Sequence, residues 1–243
     1  MNPSTSFLPV ALLASLLSLA PQDSKPAQQP VNPALVPVTR TEDWVLERQA
    51  EVLERAKKTA KAPVIFVGDS ITQGWEGDGR AVWEKHFAAL GALNLGVSGD
   101  RTEHVLWRLE QAPITHLDPK VIVLLIGTNN LGHGTANAEQ TLAGVLEVIA
   151  VLRKQAPKAV LLVNEIFPRG EHMNPMRGDI AQINQVLRGL ADAKTRVLGF
   201  CDRWVRADGT LSAQTMPDFL HITAPAYEQW AEALDPELRA VLK

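Results

Sequence analysis

The sequence predicts an α/β fold, a three-layer sandwich with a five-stranded parallel sheet between two layers of helices. Three observations carry this. Five short runs rich in Val, Leu and Ile lack the inside–outside alternation of a half-exposed strand, as strands buried on both faces do. Segments with helical spacing separate them, and strand–helix alternation builds a parallel sheet. Small and polar residues follow the runs, so they gather at the carboxyl edge, where open α/β sheets bind their ligands.

In chain order, Phe7 to Ala20 is a continuous apolar stretch. It is shorter than the roughly 20 residues of a bilayer-spanning helix and suits the apolar region of a signal peptide, with Ser18-Leu19-Ala20 as the cleavage site. No Lys or Arg precedes it, and Pro21 follows it, which are departures from that pattern. The reading is a signal peptide over 1–20 and an exported protein, periplasmic or secreted, with no stable membrane span. Residues 21–40 are rich in Pro and Gln and read as an extended linker. One domain then spans 41–243.

Within that domain, Trp44, Val45, Val52, Leu53 and Ala56 recur at helical spacing over 41–61, with acids leading and lysines trailing. Strands follow at 64–68, 92–97, 120–127, 159–167 and 195–202. Helices are predicted over 79–90, over 103–112 with Thr102 as cap, over 135–155, over 179–193, and from about Thr223 to the C-terminus with a restart at Asp235-Pro236. Trp44, Trp107 and Trp230 fall on amphipathic helices and are expected in the core.

Composition removes several function classes. A net charge of −3 with no Lys/Arg cluster gives no footprint for nucleic acid. A single cysteine, Cys201, excludes an intrachain disulfide and a cysteine-based metal box, and is read as a small buried hydrophobe. No metal or organic cofactor is expected. A homodimer stays open.

The chemistry begins at Gly68-Asp69-Ser70, where a buried strand stops on a polar cluster. Serine is a weak nucleophile unless a base activates it. Asp218 and His221, three residues apart in PDFLHIT, can share one side of a turn, the carboxylate holding an imidazole that takes the Ser70 proton. Such a base must start neutral, so rates fall below about pH 6.5. Three oxyanion donors lie at the same edge: the Ser70 N–H, the Gly99 N–H and the Asn129 amide. Glycine suits position 99 because a Cβ would crowd the tetrahedral centre or forbid the backbone angles.

GDS at 68–70, NLGVSGDRTEHVLWRL at 94–109, GTNN at 127–130 and DFLH at 218–221 resemble, in order, the four blocks of the SGNH (GDSL-type) hydrolases. Within that family the resemblance is to the branch of intracellular platelet-activating-factor acetylhydrolase alpha subunits and bacterial relatives, and it covers most of 60–230. It implies a flavodoxin-like sandwich, Ser70 as nucleophile, His221 as base with Asp218 behind it, Gly99 and Asn129 as oxyanion donors, and no cofactor. The export segment and the loop LGHGTAN after GTNN depart from the branch. Exported relatives often remove acetyl groups from sugars, so a short-chain acyl esterase acting on acetylated carbohydrate is the expected function.

Other residues carry two readings each. Asp69 orders the turn or touches substrate; Asn130 forms an Asx turn or supports Asn129. Arg101 and Arg169 flank the cleft, to orient substrate or to pair with Asp100 and Glu103. His133 is a loop histidine near the site, and Trp75 a candidate pocket wall. Ser98 half-resembles a nucleophile elbow, but residue 100 is Asp, not Gly. Two rival functions stay open: a lysophospholipase or thioesterase with a longer acyl pocket, and a non-catalytic flavodoxin-like module in which DSITQG cradles a phosphate.

Overall fold

A computed structural model of the protein describes Met1 and residues 31–243. The expected signal peptide over 1–20, and the linker up to residue 30, lie outside the described residues. Asn32–Lys243 form one compact unit. No helix among the described residues is long and apolar enough to cross a membrane.

The sheet is all parallel, in the order β2-β1-β3-β4-β5. Its strands are β1 (Val64–Gly68), β2 (Ala92–Asn94), β3 (Val121–Leu125), β4 (Val160–Asn164) and β5 (Thr195–Leu198). Alternate residues serve opposite faces. Ile65, Val67, Ile122, Leu124, Leu161 and Val163 meet α1 (Asp43–Lys58), α4 (Thr102–Gln111), α6 (Ala138–Gln155) and α7 (Pro175–Arg188). Val64, Phe66, Val121, Val123, Leu125 and Leu162 meet α3 (Arg80–His86) and α8 (Ala224–Leu242). The chain runs outward from β1 in both directions, which makes the β1/β3 crevice the topological switch point. Gly68 pairs with Leu125 there, so the two strands end level.

Several expectations are corrected at element ends. The segment read as linker up to residue 40 is packed from Asn32 onward: Ala34 and Arg40 are buried. Trp44 is 64% exposed, not core. The buried stripe of α1 is Val45, Gln49, Val52 and Ala56, and residue 44 lies about 100° around the helix from it. Trp107 is half-buried, while Trp230 is fully buried, its indole N–H donating to Asn164 Oδ1 at 2.8 Å. Thr102 is not the cap of α4 but its first residue, and its hydroxyl donates to the Ala34 carbonyl at 2.9 Å. Helix α6 starts at Ala138 because Asn137 and Gln140 cap each other's backbone N–H. Helix α7 starts four residues early, at Pro175, capped by Asn174. Pro236 lies inside α8 rather than restarting it; both Pro236 and Glu232, whose carbonyl it leaves without a donor, are exposed to water.

Candidate active site

Ser70 stands at the carboxyl end of β1 as the first residue of α2 (Ser70–Gln73). The turn is tight because Gly68 permits it: a Cβ there would collide with Thr72 Oγ1 and the Leu125 carbonyl. Asp69 caps α2, Oδ1 accepting from the Ile71 N–H at 3.0 Å. From the opposite side, the Tyr227 hydroxyl donates to the Ile71 carbonyl at 2.7 Å, tying the turn to α8.

The loop before α8 brings the other two groups. His221 Nε2 lies 2.8 Å from Ser70 Oγ, and His221 Nδ1 lies 2.6 Å from Asp218 Oδ2. Asp218 Oδ1 accepts from the backbone N–H of Leu220 (3.1 Å) and of His221 (2.7 Å), which fixes the turn that three-residue spacing requires. Burial pushes the Asp218 carboxyl up, but the hydrogen bonds from His221 outweigh this and hold it below its ordinary value. Between them, Phe219 sits in the left-handed region at φ 58°. Its N–H donates to the Met216 carbonyl and its own carbonyl accepts from Gly170 N–H at 2.8 Å, so the 168–172 loop braces the turn. Both side chains of the pair stay open to water, 45% for His221 and 55% for Asp218.

Facing Ser70 are the loops after β2 and β3. Gly99 has φ +75°, which accounts for the glycine; the space where its Cβ would stand faces Arg40 and Trp44, 3.1–3.3 Å away. The Asn129 amide, buried in α5 (Thr128–Gly132), donates one N–H to the Asp100 carbonyl at 3.0 Å and keeps a second. The Ser98 backbone N–H donates to Gln73 Oε1 at 2.8 Å.

Arg101, His133 and Arg169 lie together on one rim. Arg101 pairs with Glu103 Oε1 and reaches His133 Nδ1 at 3.4 Å. Arg169 donates to the Thr128 carbonyl at 3.1 Å; burial depresses its pKa, while Asp69 and Asp218 support its charge. Burial and the nearby Arg101 and Arg169 lower the His133 pKa, so that ring is neutral at neutral pH.

Three residues read as substrate contacts are excluded by burial. Trp75, in the turn after α2, is 0% exposed and packs against Phe66, Phe87, Tyr227 and Trp230, with ring centroids 4.6–6.0 Å apart. Asn130 is equally buried, bonded to Thr102 N–H, Thr102 Oγ1 and Glu103. Asp69 is sealed under the turn, where burial pushes its carboxyl up to about 7 against the pull of the Ile71 N–H. Sequence reasoning missed Arg40, which reaches the Gly99 loop from the segment read as linker. Among the described residues, no three His, Cys, Asp or Glu side chains gather closely enough to hold a metal ion.

A serine, an imidazole and a carboxylate gathered at the switch point of a five-stranded parallel sheet are the arrangement of a hydrolase. The chain belongs to the GDSL-like Lipase/Acylhydrolase family, whose model matches residues 66–229. It is similar to the human platelet-activating factor acetylhydrolase IB subunit alpha1, 36% identical over 188 residues, covering 76% of this chain and 79% of that one. The rat alpha2 subunit is 33% identical over 219 residues, covering 87% and 93%. Among solved structures, the fold matches a GDSL-like lipase from Bacteroides thetaiotaomicron with TM-score 0.64 at 22% identity, over 80% of this chain and 97% of that one. It also matches an acetylxylan esterase from Geobacillus stearothermophilus with TM-score 0.56 at 17% identity, over 75% and 96%.

Proposed function

We propose that this acylhydrolase is an exported serine esterase that removes a short acyl group, acetyl foremost, from a hydroxyl-rich alcohol such as a sugar, through an acyl-enzyme. The observation that carries the reading is the continuous hydrogen-bonded line Ser70 Oγ–His221–Asp218. Ser70 Oγ attacks the ester carbonyl as His221 Nε2 takes its proton, and Asp218 stabilises the imidazolium. The carbonyl oxygen gains charge among the Ser70 N–H, the Gly99 N–H and the second Asn129 N–H. As a first-turn residue of α2, Ser70 has no intrahelical acceptor for its N–H. Each such donor contributes about 3 kcal/mol in sites of this kind. The intermediate expels the alcohol, which takes the proton from His221. Water, deprotonated by the same imidazole, then attacks the acyl-Ser70 carbonyl and releases the carboxylic acid.

Two features support a short acyl group and a polar alcohol. The rim is polar, with Arg101, His133 and Arg169 at one side. The relatives named for acetylhydrolase activity agree with acetyl removal. The phosphate-cradling alternative meets a physical obstacle: α2 has four residues and its cap is the carboxyl of Asp69, which repels an anion when ionised.

The test is hydrolysis of 4-nitrophenyl esters by the purified protein. Ser70→Ala loses at least about 10³-fold, and kcat/KM falls by tenfold or more from acetyl to decanoyl. Wild-type rates for Ser70→Ala, or a preference for decanoyl, refute the reading. A panel of acetylated sugars and lipids then identifies the alcohol.

A further inference from the structure

Arg40 lies upstream of the family match, yet only 4% of it is exposed. The segment that delivers it is stitched to the domain at three points. Asn32 Nδ2 donates to the Gln140 carbonyl at 3.1 Å, the Ala34 carbonyl accepts from Thr102 Oγ1, and Val38 N–H donates to the Glu103 carbonyl at 3.3 Å. Arg40 then turns its guanidinium onto the Gly99 loop. Nη1 lies 3.0 Å from the Ser98 carbonyl and 3.5 Å from Asp100 Oδ1. Nε donates to Glu42 Oε2 at 2.9 Å, and the Trp44 ring covers the group with its centroid 5.1 Å away.

This one planar group bonds residues 98 and 100 and fills the space where a Gly99 Cβ would stand. The carbonyl of Asp100 in turn accepts from Asn129, orienting the amide whose second N–H is the proposed oxyanion donor. Two of the three donors therefore depend on where the loop is held. Asp100 is anchored independently by Arg108 Nε at 2.8 Å, so the fold of the loop does not rest on Arg40 alone. Charge is balanced locally by Asp100 and Glu42, so the contribution is geometric. The fork and flat face of a guanidinium suit it; a single ammonium cannot reproduce them.

We propose that Arg40 is a positioning residue for acyl transfer: held by the 32–44 segment, it sets the Gly99 N–H and the Asn129 amide where the oxyanion forms. The proposal rests on the reading of Gly99 and Asn129 as donors, and the experiment separates the two. In the full-length chain, kcat and KM for 4-nitrophenyl acetate are measured for wild type, Asn129→Ala, Arg40→Met, Arg40→Lys and the double variant Arg40→Met/Asn129→Ala. Folded fraction is read by circular dichroism, and rates are expressed per folded molecule.

Asn129→Ala loses about 10²–10³-fold in kcat. Arg40→Met loses about ten- to a hundredfold in kcat, the scale of a misplaced catalytic group, with KM changed less than about threefold. The double variant loses clearly less than the product of the two single losses, because the part of the Arg40 effect that runs through Asn129 is already gone while the part through the Gly99 N–H remains. Arg40→Lys, which keeps the charge and the fold, still loses at least about fivefold. Should Arg40→Met fail to fold, Arg40→Lys decides alone. Wild-type kcat in Arg40→Lys, wild-type kcat in a folded Arg40→Met, or a double variant showing the product of the two losses overturns the positioning role. Wild-type kcat in Asn129→Ala overturns the donor reading itself.

Discussion

Replacing Asp218 by Asn leaves the shape of the turn and removes a charge. The Asn Oδ1 still accepts from the Leu220 and His221 N–H groups, so the turn is retained. Its Nδ2 then occupies the Oδ2 position, 2.6 Å from His221 Nδ1. Two losses follow. The imidazolium formed in the transition state loses a charge partner at roughly 4 Å between charge centres, worth about 1 kcal/mol in water and about 4 kcal/mol at an effective dielectric of 20. Both side chains are about half exposed, which places the loss near 2 kcal/mol. The amide also donates to Nδ1, so the ring carries its proton on Nε2 and cannot accept from Ser70. Breaking that bond to restore the working tautomer costs about 1–2 kcal/mol. Together they predict a drop of about 10²–10³ in kcat for 4-nitrophenyl acetate. That is less than the roughly 10⁴ typical of a buried dyad, because water screens this one. A rate within threefold of wild type refutes the coupling of Asp218 to the chemistry; a loss of 10⁵ refutes the screening argument.

Two further outcomes follow from buried groups. Asp69 rises from 3.8 to about 7 on burial, and its Oδ2 has no hydrogen-bond partner. The folded protein therefore keeps a proton that the unfolded chain releases between about pH 4 and 7, and this group's contribution to stability falls as pH rises through that window. Asp69→Asn keeps the cap and removes the ionisation, so its stability gain over wild type is larger at pH 8 than at pH 5, by up to about 2.6 kcal/mol. Parallel urea-unfolding curves at the two pH values contradict this. Cys201 is 1% exposed and burial pushes its thiol up to about 12, so an aromatic disulfide reagent at pH 8 reacts only after unfolding; rapid reaction of the native protein contradicts it.

The sheet was legible because its central strands β1, β3 and β4 are buried on both faces and read as apolar runs, while the edge strands β2 and β5, shorter and only partly buried, were placed by the alternation with helices. The helix ends were less so, since Asn137 and Asn174 act through cap geometry that composition alone does not flag. Ser70, Asp218 and His221 were legible because the turn after β1 and the three-residue spacing of PDFLHIT are local properties. Burial near the site was not. Trp75, Asp69 and Asn130 are as close to the motifs in sequence as Ser70 and Asn129, yet Asp69 as the cap of α2, Trp75 in the turn after it and Asn130 within α5 face inward. Arg40 left no signal: an isolated arginine in an extended stretch has no periodicity, and its partners lie about 60 residues away. Trp44 misled for a related reason, since a helical pattern gives spacing but not the one-residue offset from the buried stripe.

In the proposed reaction Ser70 is the group that carries the acyl chain. Treating the native protein with a fluorophosphonate, which phosphonylates activated serines, and mapping the modified peptide by mass spectrometry tests this directly. The prediction is one adduct per chain, on Ser70, formed in step with loss of esterase activity and absent in Ser70→Ala. An adduct on Ser98, or full hydrolysis by protein that takes no label, contradicts it.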